Sequence, residues 1–123
     1  MSNVINWFEI PVKDFERASK FYAAVLGKPL ERMEMAGDLM GFLPMEGKDG
    51  VGGAIVKGKN CIPSDKGTLV YLNAGDDLNP FVERVEKAGG KILVPRTLIR
   101  EDIGFFAIFK DSEGNRVAFH SSK

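Results

Sequence analysis

An α+β fold of two tandem βαβββ modules, their sheets forming a curved trough, is what this sequence predicts, on three observations. The stretch Asn6 to Asp14, followed by an amphipathic pattern from Phe15 to Leu26 and a stop at Gly27, returns as Leu69 to Asp77, followed by Leu78 to Ala88 and Gly89-Gly90. The two copies stand about 62 residues apart, counted from Phe8 to Val70, the mark of a duplicated module. Three short apolar runs follow the helical pattern in each copy. The whole fits in 123 residues with 44% hydrophobic content, enough for one compact domain with a sizeable core.

Each element has a local cause. Ile5 to Val12 is rich in β-branched and aromatic residues and alternates in character, as a strand with two different faces does. Asp14 suits the cap of the next helix, where Ala18, Phe21, Tyr22, Val25 and Leu26 recur at helical spacing until Gly27 stops it. Pro29 to Met35, Leu39 to Leu43 and Val51 to Val56 read as three strands. Gly37-Asp38 and the segment Glu46 to Gly50 supply the turn residues between them. Lys57 to Gly67 is polar and aperiodic, a linker. In the second copy Thr68 to Ala74 is the strand. The helix then starts from a cap within Asp77 to Asn79, with Pro80 in its first turn and Leu78, Phe81, Val82 and Val85 as its buried stripe. Lys91 to Ile99, Gly104 to Phe109 and Arg116 to His120 complete the set, with Lys110 to Asn115 as a tight turn. Module 1 thus covers about residues 3–57, the linker 58–66 and module 2 about 67–122.

Composition narrows the function. Seventeen basic residues balance seventeen acidic ones with no block of like charge, which argues against a nucleic-acid track or a membrane-binding face and for a small-molecule partner. Cys61 is the single cysteine, so an intrachain disulfide and a multi-thiolate zinc site are both excluded; it reads as an ordinary loop thiol. The segment Met1 to Val4 lacks the start of a signal peptide and no run approaches the about 20 apolar residues of a membrane span, so a cytoplasmic protein is expected.

The order βαβββ-βαβββ, the helix entry Val12 to Tyr22 and the segment Phe109 to Val117 together resemble the vicinal oxygen chelate superfamily, which holds glyoxalases, bleomycin-resistance proteins and extradiol dioxygenases. The resemblance spans nearly the whole chain. It implies a ligand cavity built by paired modules and, because modules pair within or between chains, a homodimer. It says less about activity, since one scaffold hosts many chemistries.

The resemblance also implies where metal ligands would stand, and this chain departs from it there. The position seven residues before Asp14, a His in metal-dependent members, is Trp7. The position four after Gly114, a Glu in those members, is Ala118; the second-module His falls near Leu69, and the fourth-strand donor within Gly52 to Ile55. No metal ligand and no cofactor are therefore expected at the usual site, leaving a divalent metal only a non-standard one.

Strand alternation identifies what faces the cavity instead. Phe8, Ile10 and Val12 point one way and Trp7 and Glu9 the other; Val70, Leu72 and Ala74 oppose Leu69, Tyr71 and Asn73; Val117 and Phe119 oppose Ala118 and His120. One face is purely apolar and suits the helices, and the mixed face suits a cavity. Trp7, Tyr71 and Asn73 are the candidate ligand-binding residues, the two aromatics offering flat apolar surface with a polar edge. Glu9 and His120 are the candidate catalytic pair, each about 6.6 Å along the strand from a missing ligand position. A carboxylate beside an imidazole makes an acid–base pair near neutral pH. Of Phe105 and Phe106, adjacent on one strand, at most one lines the cavity.

Three functions fit these residues: a metal-free binding protein of the bleomycin-resistance kind that holds a small aromatic or carbonyl-bearing molecule; a glyoxalase-like lyase or isomerase using Glu9 and His120, with or without a shifted metal; and a non-catalytic dimeric accessory protein. Whether the chain is an enzyme stays open at this level.

Overall fold

The computed structural model describes residues 3–47 and 49–123. Ten elements follow one another: β1 (Trp7–Pro11), α1 (Phe15–Leu26), β2 (Glu31–Met35), β3 (Asp38–Phe42), β4 (Gly52–Lys57), β5 (Tyr71–Asn73), α2 (Asn79–Lys87), β6 (Lys91–Arg100), β7 (Gly104–Lys110) and β8 (Arg116–Ser121). Internal contacts divide the chain into two units, Met1–Pro63 and Ser64–Lys123. Each is a βαβββ module, as expected, and each has a four-stranded mixed sheet of the same order, β1-β4-β3-β2 and β5-β8-β7-β6. No helix among the described residues is long and apolar enough to cross a membrane.

In the first unit β1 runs parallel to β4, with Trp7 opposite Gly52, Glu9 opposite Ala54 and Pro11 opposite Val56. The strand is shorter than Ile5 to Val12 because its partner begins at Gly52; Val4 and Ile5 lie exposed, while the Val12 amide still donates to Val56 O at 2.9 Å. Asp14 caps α1, its Oδ1 accepting from the Arg17 amide at 3.0 Å, and Gly27 closes it at φ +81° with its N–H on Ala23 O. Phe15, Ala18, Phe21, Tyr22 and Val25 are the buried face, and α1 packs against β4; Leu26 is only half-buried, Phe15 taking the place expected of it. The β2–β3 turn sits one residue earlier than Gly37-Asp38. Ala36 and Gly37 are its central residues, both at positive φ (+53° and +87°), and Asp38 already pairs with Met35. Positive φ at both central positions is the condition for a two-residue hairpin whose twist matches its strands. The turn expected over Glu46 to Gly50 includes Lys48, which lies outside the described residues.

In the second unit β5 pairs in parallel with β8, Tyr71 opposite Ala118 and Asn73 opposite His120. It is shorter than Thr68 to Ala74, although hydrogen bonds from the Ala118 amide to Val70 O (2.9 Å) and from the Ala74 amide to His120 O (2.8 Å) extend the ladder at both ends. Asn79 and Pro80 open α2 as expected, and the Asp77 carboxylate accepts from the Asn79 amide at 2.9 Å. Leu78 and Val85 are fully buried, and Phe81 and Val82 half so. Phe119 stacks on Phe109 at 4.7 Å between ring centroids and meets Phe81 of α2 at 5.4 Å, a three-ring core between sheet and helix.

Candidate functional site

Burial follows the period-two partition. On β1, Trp7 and Glu9 are exposed while Ile10 and Val12 are buried; on β5, Tyr71 and Asn73 are exposed while Leu72 is buried. The face away from α1 therefore carries Trp7 and Glu9, and the face away from α2 carries Tyr71, Asn73 and His120. The matched registers align the modules: Glu9 on Ala54 in the first corresponds to Tyr71 on Ala118 in the second, and Pro11 on Val56 to Asn73 on His120.

The first unit brings two of the expected residues together. The Trp7 indole donates from Nε1 to Glu9 Oε2 at 3.3 Å and meets Phe42 edge-on at 5.9 Å between ring centroids, with 45% of the tryptophan exposed. Glycine at 52 makes room for this ring. A Cβ there would stand 3.0 Å from the Met45 sulfur and 3.2 Å from Trp7 Cζ3, so thioether and indole converge over bare backbone. At Gly53 a Cβ would run into the Phe8 ring on the opposite face, so the Gly-Gly pair lets one aromatic approach β4 from each side.

Cys61 belongs to this face too, although nothing in the aperiodic linker marks it. It packs with Phe42 against the buried side chains of Met40, Ala54 and Val56. Its amide closes a turn on Gly58 O at 3.1 Å. Burial, then the carboxylates of Asp38 and Glu9, push its thiol above the usual cysteine range, which keeps it protonated at neutral pH and a poor nucleophile.

In the second unit His120 lies between Asn73 on β5 and Phe106 on β7. Phe106, rather than Phe105, shares its face; Phe105 pairs with Ser121 and lies under the Arg96 guanidinium, 3.7 Å from ring centroid to Cζ. His120 Nε2 is 2.7 Å from the carbonyl oxygen of Ile103. A carbonyl only accepts, so Nε2 carries the hydrogen and the lone pair of the neutral ring sits on Nδ1. Asn73 is partly committed elsewhere, because its Oδ1 accepts from the Gly75 amide at 2.8 Å in a local turn, leaving its Nδ2 for any ligand. Tyr71 is 51% exposed. Glu9 and His120 belong to separate units, each with one atom already hydrogen-bonded.

The turn after β7 has a structural role. Asp111 Oδ1 accepts from the amides of Glu113 (2.9 Å) and Asn115 (2.8 Å), Oδ2 accepts from Asn115 Nδ2 (3.1 Å), and Asn115 Oδ1 accepts from the Ser64 amide (3.0 Å). Both side chains are buried. This network sets the start of β8, and hence the register that carries His120.

At the implied metal positions stand the Trp7 indole, the segment Gly52 to Ile55, Leu69 and Ala118, none with a coordinating side-chain atom. Among the described residues no three His, Cys, Asp or Glu side chains are grouped to hold a metal ion. The open depression at the head of α1, lined by Lys13, Asp14, Arg17 and Lys57, is charged and contains none of the expected site residues.

Comparison with known proteins gives concordant results. Residues 4–119 match the family model of the Glyoxalase/Bleomycin resistance protein/Dioxygenase superfamily. A glyoxylase-like domain-containing protein from Didymella fabae is 32% identical over 121 residues, covering 90% of this chain and 88% of its own. Among solved structures, a glyoxalase/bleomycin resistance protein from Albidiferax ferrireducens T118 superposes with a TM-score of 0.70 at 19% identity, over 95% of this chain and 97% of that one. TnmS3, an antibiotic binding protein from Streptomyces sp. CB03234, superposes at 0.66 and 21% identity, over 100% and 99%.

Proposed function

The chain belongs to the glyoxalase/bleomycin resistance protein/dioxygenase superfamily, and from that premise we propose that it binds a small aromatic or carbonyl-bearing molecule on the mixed faces of its sheets. The observation that carries this reading is Trp7: a large aromatic ring left 45% exposed on a sheet face, oriented by Glu9 and Phe42 over a glycine. An indole fixed at its edge and open on a face provides stacking area at little entropic cost. On the second sheet Tyr71 is likewise an exposed aromatic with a polar edge. Sequestration is the use proposed for such a site; TnmS3, an antibiotic binding protein, shares the fold at 21% identity.

The proposed binding is metal-free at the family's usual positions. The residues there do not fit a divalent ion held by imidazole and carboxylate. The working form is a homodimer, following the module pairing of the family, and the single cysteine suits the reducing cytoplasm.

A second reading, glyoxalase-like lyase or isomerase chemistry, is favoured by one specific observation: the hydrogen bond to Ile103 leaves His120 Nδ1 with its lone pair outward. That atom would take a proton next to a carbonyl or hold a shifted metal.

The test uses Trp7 as reporter, since it is the only tryptophan. Metal-stripped protein is titrated with planar aromatic and carbonyl compounds by fluorescence, and with Ni²⁺, Mn²⁺, Fe²⁺ and Zn²⁺ by calorimetry, then repeated on Trp7→Ala (calorimetry only) and His120→Ala. Saturable quenching without metal, with binding lost in Trp7→Ala, is the expected result. Stoichiometric metal uptake that disappears in His120→Ala would move the conclusion to the second reading. Neither response would overturn both.

A further inference from the structure

The outer strands of the two sheets differ in a way that neither sheet explains. β2 ends the first sheet and β6 the second, each with one neighbour, as β1 and β5 do at the opposite ends. All five residues of β2 are exposed, as are all six from Pro95 to Arg100 on β6. A strand open on both faces and along one edge displays unpaired amides and carbonyls, a template for strand addition; on β6 the amides begin after Pro95, with register shifts at Val94/Thr97 and Leu98/Arg100. Both edges carry apolar side chains in the open: Met33 and Met35 on β2, Leu98 and Ile99 on β6, between 37% and 53% exposed.

Their charges are opposite. β2 holds Glu31 and Glu34, and its one cation, Arg32, is engaged by Glu16 at 2.8 Å. β6 holds Lys91, Arg96 and Arg100 and no carboxylate, Arg100 being clasped by Asp102 just beyond the strand. The faces agree as well. Arg32 lies over the Phe15 ring of α1, so Glu34, two residues on, projects on the helix side of its sheet. Arg96 lies over Phe105, which shares a face with Ala107 and Phe109, the side on which α2 sits. Laid edge to edge with their helix faces on one side, a β2 sheet and a β6 sheet of two protomers would bring Glu34 and Arg96 to the same side.

We infer that the partner of these edges is a second copy of this chain, the acidic β2 edge of one protomer against the basic Arg96-to-Arg100 edge of the other, and the reverse, in a two-fold dimer. This rests on the homodimer reading given above and names its surfaces. Two identical contacts per dimer close the two-fold assembly and use the β2 and β6 edges of both protomers.

Sedimentation velocity over a concentration series tests it with three chains: wild type, Glu34→Lys and Arg96→Glu. The wild type is expected to dimerise, more weakly in high salt. Each single variant sets like charge against like in both contacts and should dimerise at least about tenfold more weakly. An equimolar mixture of the two variants restores opposite charge in both contacts and should recover the dimer. Glu34→Gln and Arg96→Lys, checked for fold by circular dichroism, guard against loss through misfolding; Arg96→Lys should stay dimeric. Dimers indifferent to both reversals would overturn the edge assignment while leaving the homodimer standing. A wild type monomeric throughout would overturn both, and open-ended growth would overturn the two-fold closure.

Discussion

His120 Nε2 and the carbonyl oxygen of Ile103 stand 2.7 Å apart, so the last strand holds the β6–β7 turn by a side chain that also faces the mixed surface. The hydrogen bond decides the tautomer. Protonating Nδ1 leaves Nε2–H in place, so the turn stays held in both charge states. Nitrogen-15 correlation spectra should show the Nε2–H form of the neutral ring, with Nδ1 the unprotonated nitrogen. A dominant Nδ1–H form would contradict the contact and remove the basis for Nδ1 as base or metal ligand.

Asp111 should be among the costliest polar residues to remove. Asp111→Ala strips acceptors from two amides and from the Asn115 side chain at a buried turn. Unsatisfied buried donors cost about 1–3 kcal/mol each, and relaxation of the turn recovers part, so a loss of about 3 kcal/mol in urea unfolding is expected. Asp111→Asn keeps one oxygen but can set an amide nitrogen against Asn115 Nδ2, so it should fall between alanine and wild type.

The β2–β3 turn leaves room for improvement. Ala36 sits at φ +53°, a region that costs a residue with a Cβ about 1 kcal/mol, and Gly37 follows it. Ala36→Asn creates the Asn-Gly pair this turn geometry favours and should raise unfolding free energy by about 0.5–1 kcal/mol. No gain in chemical denaturation would mean the turn does not hold that conformation in solution.

Cys61 should react slowly with thiol reagents at pH 8 in the folded chain and faster once unfolded, because burial, Asp38 and Glu9 all oppose its thiolate. Its raised pKa also sets a sign for stability. The folded chain holds this proton more tightly, so the group's contribution is full below the unfolded thiol's pKa and is lost as pH rises through the higher folded value. Asp38→Asn and Glu9→Gln should each speed the reaction by lowering that pKa, Asp38→Asn more so. Unchanged rates in both would place the thiol away from the carboxylates.

Local chemistry made much of the fold legible. Asp14 and Gly27 bracket α1 through hydrogen bonds to residues three and four positions away, and the apolar stripe between them needs no distant partner to be recognised. Period-two alternation likewise separated Trp7 and Glu9 from Ile10 and Val12, because a strand's two faces are written in the chain itself. Strand ends were less legible: β5 and β1 stop where β8 and β4 stop pairing, and that depends on residues more than 40 positions away.

What the sequence by itself determined is the pair of βαβββ modules, the family resemblance and the identity of the residues on each mixed face. Only the tertiary structure decided how those residues are engaged: Trp7 on Glu9 over a bare Gly52, Cys61 drawn from a featureless linker onto Met40 and Val56, Asn73 partly spent on a turn, His120 committed through one nitrogen to Ile103. Periodicity assigns a side chain to a face. Which atom of it remains available is set by hydrogen bonds and packing with neighbours brought close by the fold.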